Sequence, residues 1–273
     1  MDLNTITEVV RQPGGRPGAD WREGDAWLAG GTWLFSTEQP SLRRLVDLTA
    51  LRWDPLVPDG TGLEIGATCT VRDLYAFAPP DDWRAGGLLA ASCEAFLSSF
   101  KVWNSATVGG NICMSLPAGP MITLTVALEA EYELWPPDGS VRRVDALDFV
   151  TGDHQNVLAP GEILRRVRIP GRALKKHAAH RRFTLTHLGR STVFLIGTRT
   201  PGTDDLLLTV TAGTTRPVRL AFDTMPDART LQQSIDAIPA HLWFADPNGT
   251  PEHRHHLTTY FAEEIRGELT AGV

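Results

Sequence analysis

Apolar positions in this chain come in short runs, broken by glycine, proline and aspartate. Near the start, Ile6, Val9 and Val10 fall on one helical face, and Thr5 and Glu8 have capping-box spacing, which predicts a short first helix. Residues 12–18, with two prolines and three glycines, break it. A strand at 26–29 then runs into Gly30-Gly31-Thr32 and a brief apolar turn at 33–35, and a second strand is expected at 44–48. After the Pro/Asp/Gly-rich passage 54–62 comes a strand at 63–67, and Thr70 and Asp73 repeat the cap spacing at the head of a helix running to about 78. Residues 87–100, mostly small and apolar, predict another helix, and 101–119, rich in Asn, Ser, Thr and Gly, an irregular segment. An apolar helix is expected over 122–130. Strands at 131–135 and 141–144 flank Pro136-Pro137-Asp138-Gly139 as a hairpin, and 163–169 is a further strand stopped by Pro170 and Gly171.

The character of the chain changes after residue 171. Residues 175–182 are basic and hold two of the eight histidines, which puts a boundary near 171–180. Beyond it lie a strand at 206–212 and helices near 228–238 and 252–268, the last with Leu257, Tyr260, Phe261 and Ile265 on one side. No internal repeat is visible.

Composition narrows the classes. With 26 Lys plus Arg against 32 Asp plus Glu, the 273-residue chain carries −6, which disfavours nucleic acid and anionic membrane surfaces as partners. Its length suits one large domain or two modest ones. Cys69, Cys93 and Cys113 are odd in number and form no CxxC pair, against a disulfide framework, a zinc ribbon or an iron–sulfur cluster held by this chain alone. The first residues show no basic segment followed by an apolar core, and no apolar run reaches eighteen residues. A cytoplasmic protein without membrane insertion is the expectation.

Two patterns imitate functional motifs. Gly60, Gly62 and Gly66 approximate a dinucleotide fingerprint, but the last glycine is one place late and a strand follows where a helix is needed; a turn before a strand is the better reading. His253, His255 and His256, like His177, His180 and His187, lack a completing carboxylate or cysteine and read as surface histidines. No P-loop, GxSxG elbow or HExxH occurs.

Two glycine loops carry more chemistry. The first is Leu28-Ala29-Gly30-Gly31-Thr32-Trp33-Leu34-Phe35, and the second is Ala106-Thr107-Val108-Gly109-Gly110-Asn111-Ile112. Paired glycines let backbone N–H groups converge on an anion where a side chain would block approach. Thr32, Thr107 and Asn111 add side-chain donors, so the two loops together could hold a pyrophosphate without lysine or arginine. Spacing alone leaves open that each is only a tight turn.

The ordered series AGGTWLF (29–35), VDL (46–48), IGATCTVRDL (65–74), ATVGGNIC (106–113), PGEILRRVRIP (160–170) and DPNGTPEHRHHL (246–257) resembles the FAD-binding medium subunit of molybdenum hydroxylases. Flavoproteins of carbon monoxide dehydrogenase and the FAD domain of xanthine dehydrogenase belong to that group. The resemblance covers essentially the whole chain. It implies an α+β fold: a PCMH-type FAD-binding domain of two α/β subdomains, about 1–57 and 58–175, followed by a small carboxy-terminal α+β domain, 176–273. It implies FAD between the subdomains, held by Ala29, Gly30, Gly31, Thr32, Trp33 and Leu34 in the first loop and Thr107, Gly109, Gly110 and Asn111 in the second, with Leu164 near the flavin ring.

Several positions depart from the resemblance. Trp33 stands where relatives often carry an acid, Pro120 where a cofactor-contacting acid is common, and Trp103 where many have arginine; around Phe183-Thr184 a basic contact is absent. The implied function is an electron-transfer subunit. A large partner would carry the molybdenum cofactor and a small one the iron–sulfur clusters, and electrons would pass through flavin to NAD or another acceptor. The alternative is a flavin-free structural subunit that kept the fold. No side chain is implied as a catalytic acid, base or nucleophile.

Overall fold

A computed structural model describes residues 3–11, 15–187 and 189–271. Its first sheet is small and parallel: β1 (Glu8–Val10), β2 (Asp25–Leu28) and β3 (Arg44–Asp47), in the order β1-β3-β2. The helix expected at the amino end is thus a strand. A helix this short gains few internal bonds for the residues it fixes. Val9 and Val10 instead pair with Leu45 and Val46 on an otherwise open edge of β3, where β-branched side chains fit well.

One buried ion pair rivets β2 to β3. Arg44 donates from Nε and Nη2 to the two carboxylate oxygens of Asp25 at 2.8 and 2.5 Å, and from Nη1 to Asp20 at 2.6 Å. Asp25 and Arg44 are also register partners at the start of the two strands. The guanidinium hydrogen bonds hold Asp25 and Asp20 below the usual carboxylate range despite the burial of Asp25.

The middle of the chain builds an antiparallel sheet against a layer of helices. In chain order come β4 (Leu56–Asp59), β5 (Gly62–Gly66), α1 (Val71–Ala76), α2 (Gly87–Ala95), α3 (Phe100–Trp103), α4 (Val108–Met114) and α5 (Pro120–Ala127). Then follow β6 (Glu131–Trp135), β7 (Arg142–Asp145), α6 (Ala146–Phe149), β8 (Val150–Gly152), β9 (Gln155–Asn156), β10 (Ile163–Pro170) and α7 (Gly171–Leu174). The sheet order is β4-β5-β10-β6-β7, while β8 and β9 form a separate hairpin. Gly60 and Gly62 belong to the β4–β5 turn, where Asp59 accepts from the Thr61 and Gly62 N–H groups, and Gly66 ends β5. Thr70 caps α1 by accepting from the Asp73 N–H, as its spacing predicts.

Three helix boundaries differ from expectation. The helix predicted over 87–100 stops at Ala95, because Phe96 turns extended and its N–H closes back on the Cys93 carbonyl. The segment expected to be irregular, 101–119, contains most of α3 and all of α4. Tertiary bonds sustain α4: the N–H groups of Val108 and Gly109 donate to the carbonyls of Cys69 and Ala67. The helix α5 begins at Pro120, whose fixed φ suits a first turn, and ends at Ala127, after which Glu129 is left-handed (φ 52°). Every residue of α5 is buried, which explains its apolar composition on all sides.

The last part is a second antiparallel sheet: β11 (His177–Thr184), β12 (Ser191–Arg199), β13 (Leu206–Thr211) and β14 (Val218–Phe222), with α8 (Ala228–Asp236) and α9 (Pro251–Ala271) on one face. The strands β11, β12 and β14 lie where no strand is predicted. All nine residues of β12 are buried, since Phe194 and Ile196 join the core shared with α5 while Val193 and Leu195 join the core under α9. A strand covered on both faces loses the alternation that marks a strand. Arg254 of α9, fully buried, ties that helix to Asp246 and to the carbonyls of Thr192 and Ala212.

Asp25→Asn is expected to leave Arg44 without a buried counter-charge and lower stability near pH 7 by about 3–5 kcal/mol. Because Asp25 is held below its ordinary value, its contribution is present above about pH 4 and lost as pH falls through the folded-state value. Urea midpoints of the two proteins should therefore separate at pH 7 and converge toward pH 3.

Candidate functional site

The two glycine loops meet where the first sheet packs on the helix layer. The Cα of Gly30 sits against the Ser105–Ala106 peptide so closely that a Cβ there would overlap the Ser105 carbonyl oxygen. Gly31 is left-handed (φ 67°), and a Cβ on it would run into the Phe35 ring. Between the loops lies a cleft of about 430 Å³, lined by Ala29, Gly30, Gly31, Thr32, Trp33 and Leu34 on one side and by Thr107, Gly110 and Asn111 on the other. That volume falls within the range of about 300–1,000 Å³ usual for small-molecule clefts.

Hydrogen bonding gives the two loops different roles. In the second loop the backbone donors are already used: Gly110 N–H donates to Thr107 Oγ1 at 3.0 Å and Asn111 N–H to the Thr107 carbonyl at 3.0 Å, beside the Val108 and Gly109 bonds above. The second paired glycine therefore forms no open backbone cradle. What remains free is the Thr107 hydroxyl proton and the Nδ2 of Asn111, whose Oδ1 accepts from the Met121 N–H at 3.1 Å. In the first loop the N–H groups of Gly30, Gly31, Thr32, Trp33 and Leu34 find no protein acceptor among the described residues. Five consecutive unpaired donors beside a cleft have the capacity to bind anionic oxygens.

Two expected residues stand outside the cleft lining. Gly109 packs α4 against β5, where a Cβ would press on the Ala67 carbonyl at 2.7 Å, and its function in the structure is close approach. Leu164 is buried in the core of the middle sheet opposite Leu134. Conversely, Trp27, Phe96, Ser98, Val102, Ala106, Cys113, Met114 and Leu116 line the cleft without having been expected there. Some were within reach of sequence reasoning. Cys113 and Met114 lie one helical turn after Gly110 and Asn111, and Trp27 is two residues before Ala29 on a strand. Phe96 and Ser98 lie in a loop brought in by the early end of α2. Burial pushes the Cys113 thiol up to about 12, so it remains protonated near neutral pH.

The positions that depart from the resemblance leave the cleft open. The Trp103 indole donates to the Phe96 carbonyl at 3.1 Å and meets Tyr75 edge-on, securing α3 to the end of α2. Pro120 is buried at the first position of α5. Phe183 packs on His253 in the carboxy-terminal part, and Thr184 donates to the Thr186 carbonyl. Trp33 does line the cleft, and its ring leans on His154. Among the other histidines, His180 packs edge-on against Phe194, and His255 pairs with Asp236 at 2.9 Å.

Among the described residues, no Lys, Arg, Asp or Glu lines the cleft. Its chemistry is a mostly apolar slot with unpaired neutral donors along the first loop, suited to a flat, largely apolar ligand that carries acidic oxygens. A flavin dinucleotide meets that description, so the residues present fit it.

Comparison with known proteins identifies the family. Residues 19–172, which include both loops, match the model of the FAD binding domain in molybdopterin dehydrogenase. The chain belongs to that family. Over 130 residues it is 32% identical to the carbon monoxide dehydrogenase medium chain of Afipia carboxidovorans OM5, a match spanning 47% of this chain and 42% of that one. Over 115 residues it is 31% identical to xanthine dehydrogenase of rice, Oryza sativa subsp. japonica, covering 40% of this chain and 8% of that protein. The chain thus spans less than half the length of these curated relatives. The expected α+β fold is found over the full length in quinoline 2-oxidoreductase from Pseudomonas putida 86, with a TM-score of 0.80 at 20% identity, covering 100% of this chain and 99% of that one. No helix among the described residues is long and apolar enough to cross a membrane.

Gly30→Ala should force the loops apart and lower stability by about 1–3 kcal/mol. Gly60→Ala, at a position with open space around it, should stay within about 0.5 kcal/mol of the parent. Urea denaturation of both variants checks the difference.

Proposed function

We propose that this chain is the electron-transferring FAD subunit of a molybdenum hydroxylase complex and that the cleft between the glycine loops is its FAD site. The observation that carries the reading is the row of unpaired N–H groups from Gly30 to Leu34 along a neutral cleft. FAD bound there would supply one- and two-electron chemistry, linking single-electron donors to a two-electron acceptor. The chain's own residues bind and orient. Loop-one N–H groups, the Thr32 and Thr107 hydroxyls and Asn111 Nδ2 would hold the cofactor's oxygens, and Leu34, Phe96, Val102 and Met114 would exclude water from its apolar parts.

The same proposal assigns binding to the expected residues of both loops, with Gly109 acting through packing and Leu164 from within the core. It assigns FAD binding to 1–175 and a separate carboxy-terminal domain to 176–273. It places the molybdenum cofactor on a large partner subunit and the iron–sulfur clusters on a small one, with NAD or another acceptor receiving the electrons and the complex working in the cytoplasm. The medium-chain designation of the carbon monoxide dehydrogenase relative supports a multi-chain assembly.

Purified full-length protein titrated with FAD should hold about one equivalent and absorb at about 450 nm. Its thermal midpoint should rise with FAD, by the equivalent of about 2.7 kcal/mol at a hundredfold excess over Kd. A protein that neither binds FAD nor gains heat stability from it would leave the flavin-free structural subunit as the function.

A further inference from the structure

Away from the cleft, Arg165 is the extra residue of a bulge in β10. Leu164 lies opposite Leu134 and Arg166 opposite Glu133 on β6, which leaves Arg165 between them without a partner. A bulge re-aims the side chain that it carries. Here the guanidinium packs over the Trp53 ring at 4.3 Å and the Trp135 ring at 5.3 Å, and those two indoles meet edge-on at 5.7 Å. The backbone below is held, because the Arg165 carbonyl accepts from the Ala67 N–H at 3.1 Å.

The carboxylates nearby are already taken. Arg166 donates to Glu64 Oε2 at 2.6 Å and to Glu133 Oε2 at 3.1 Å, and Arg168 pairs with Glu64 Oε1 at 2.8 Å. The Trp135 indole donates to Glu133 Oε1 at 2.9 Å. An arginine has five N–H donors, and none of those on Arg165 has an acceptor among the described residues. Its Nε is buried, whereas Nη1 and Nη2 reach the surface. Burial first, and then the adjacent Arg166 charge, lowers the Arg165 pKa by more than the surrounding carboxylates restore. Arg16 lies over the same Trp135 ring at 4.9 Å and adds a second positive charge, with its own Nη atoms donating to the carbonyls of Pro136, Gly139 and Ser140. A half-buried cation with unused donors is costly to hold. The two indoles offset part of that cost, and an oxyanion at the Nη edge would offset more.

We propose that the outward Nη1–Nη2 edge of Arg165, held on the Trp53 and Trp135 rings, is a binding site for an oxyanion, a carboxylate or phosphate group. The planar fork matches two oxygens of either group, and stacking on indole fixes it before the ligand arrives. Neither Arg165 nor the two tryptophans line the glycine-loop cleft, so this site is separate from it and does not rest on the FAD reading.

The test is thermal unfolding of the full chain in rising inorganic phosphate or acetate, with sodium chloride holding the ionic strength constant and FAD either absent or in excess. Each protein is compared with itself, so a loss of indole packing shifts the baseline and not the response. The parent's midpoint should rise saturably, as binding to the native state requires. Arg165→Gln should abolish the rise. Arg165→Lys, which keeps the charge and loses the fork, should need about tenfold more anion. Saturation by either anion supports the site, and the one with the lower half-saturation names the ligand class. No saturable rise in the parent overturns the site. So does a rise that survives in Arg165→Gln, or one that FAD abolishes, which would put the anion at the first glycine loop. A parent that binds no FAD overturns the cleft reading and leaves this result untouched.

Discussion

The close approach of Gly30 to the Ser105–Ala106 peptide is the constraint on which the rest of the arrangement depends. It brings a loop that ends a parallel strand against the segment that leads into α4, so two elements far apart in sequence face each other across one cleft. Everything upstream serves that contact. The Asp25–Arg44–Asp20 cluster fixes β2 against β3, which sets where the first loop leaves the sheet. Gly109 performs the same service on the other wall, letting α4 settle onto Ala67 at the end of β5.

The proposed anion site has no charged side chain in its lining among the described residues. Lysine or arginine in the cleft would attract phosphate strongly but would also be costly to bury unpaired when the site is empty. Here the first loop provides backbone dipoles instead, oriented by the fold and neutral overall. The second loop cannot do the same, because Thr107, Cys69 and Ala67 already accept its N–H groups. Under the proposed function, the pair that looks symmetrical in sequence divides the work: one loop would bind through its backbone, and the other would offer two side chains on a rigid, internally bonded helix.

Much of this was legible in the residues. Gly30, Gly31 and Gly110, with Thr32, Thr107 and Asn111, mark both walls of the cleft, and β2, β3, β5, β6, β7 and β10 follow alternation and turn chemistry closely, while β4, β8 and β9 lie where no strand is predicted. What escaped was decided by distant neighbours. Val9 and Val10 are a strand only because β3 offers an edge. The strand β12 is hidden because helices cover both its faces, and the early end of α2, which carries Phe96 and Ser98 to the cleft, leaves no composition signal. Leu164 shows the converse limit: a motif gives its position in the chain but not the side of the sheet that its side chain occupies.

Amide hydrogen exchange of the full chain with and without FAD tests the central claim most directly, since it reads the donors themselves. The account predicts that FAD slows exchange at residues 30–34, whose N–H groups have no protein acceptor, and changes it little at 108–111, whose N–H groups are already bonded. FAD that binds while exchange at 30–34 stays unchanged would contradict it.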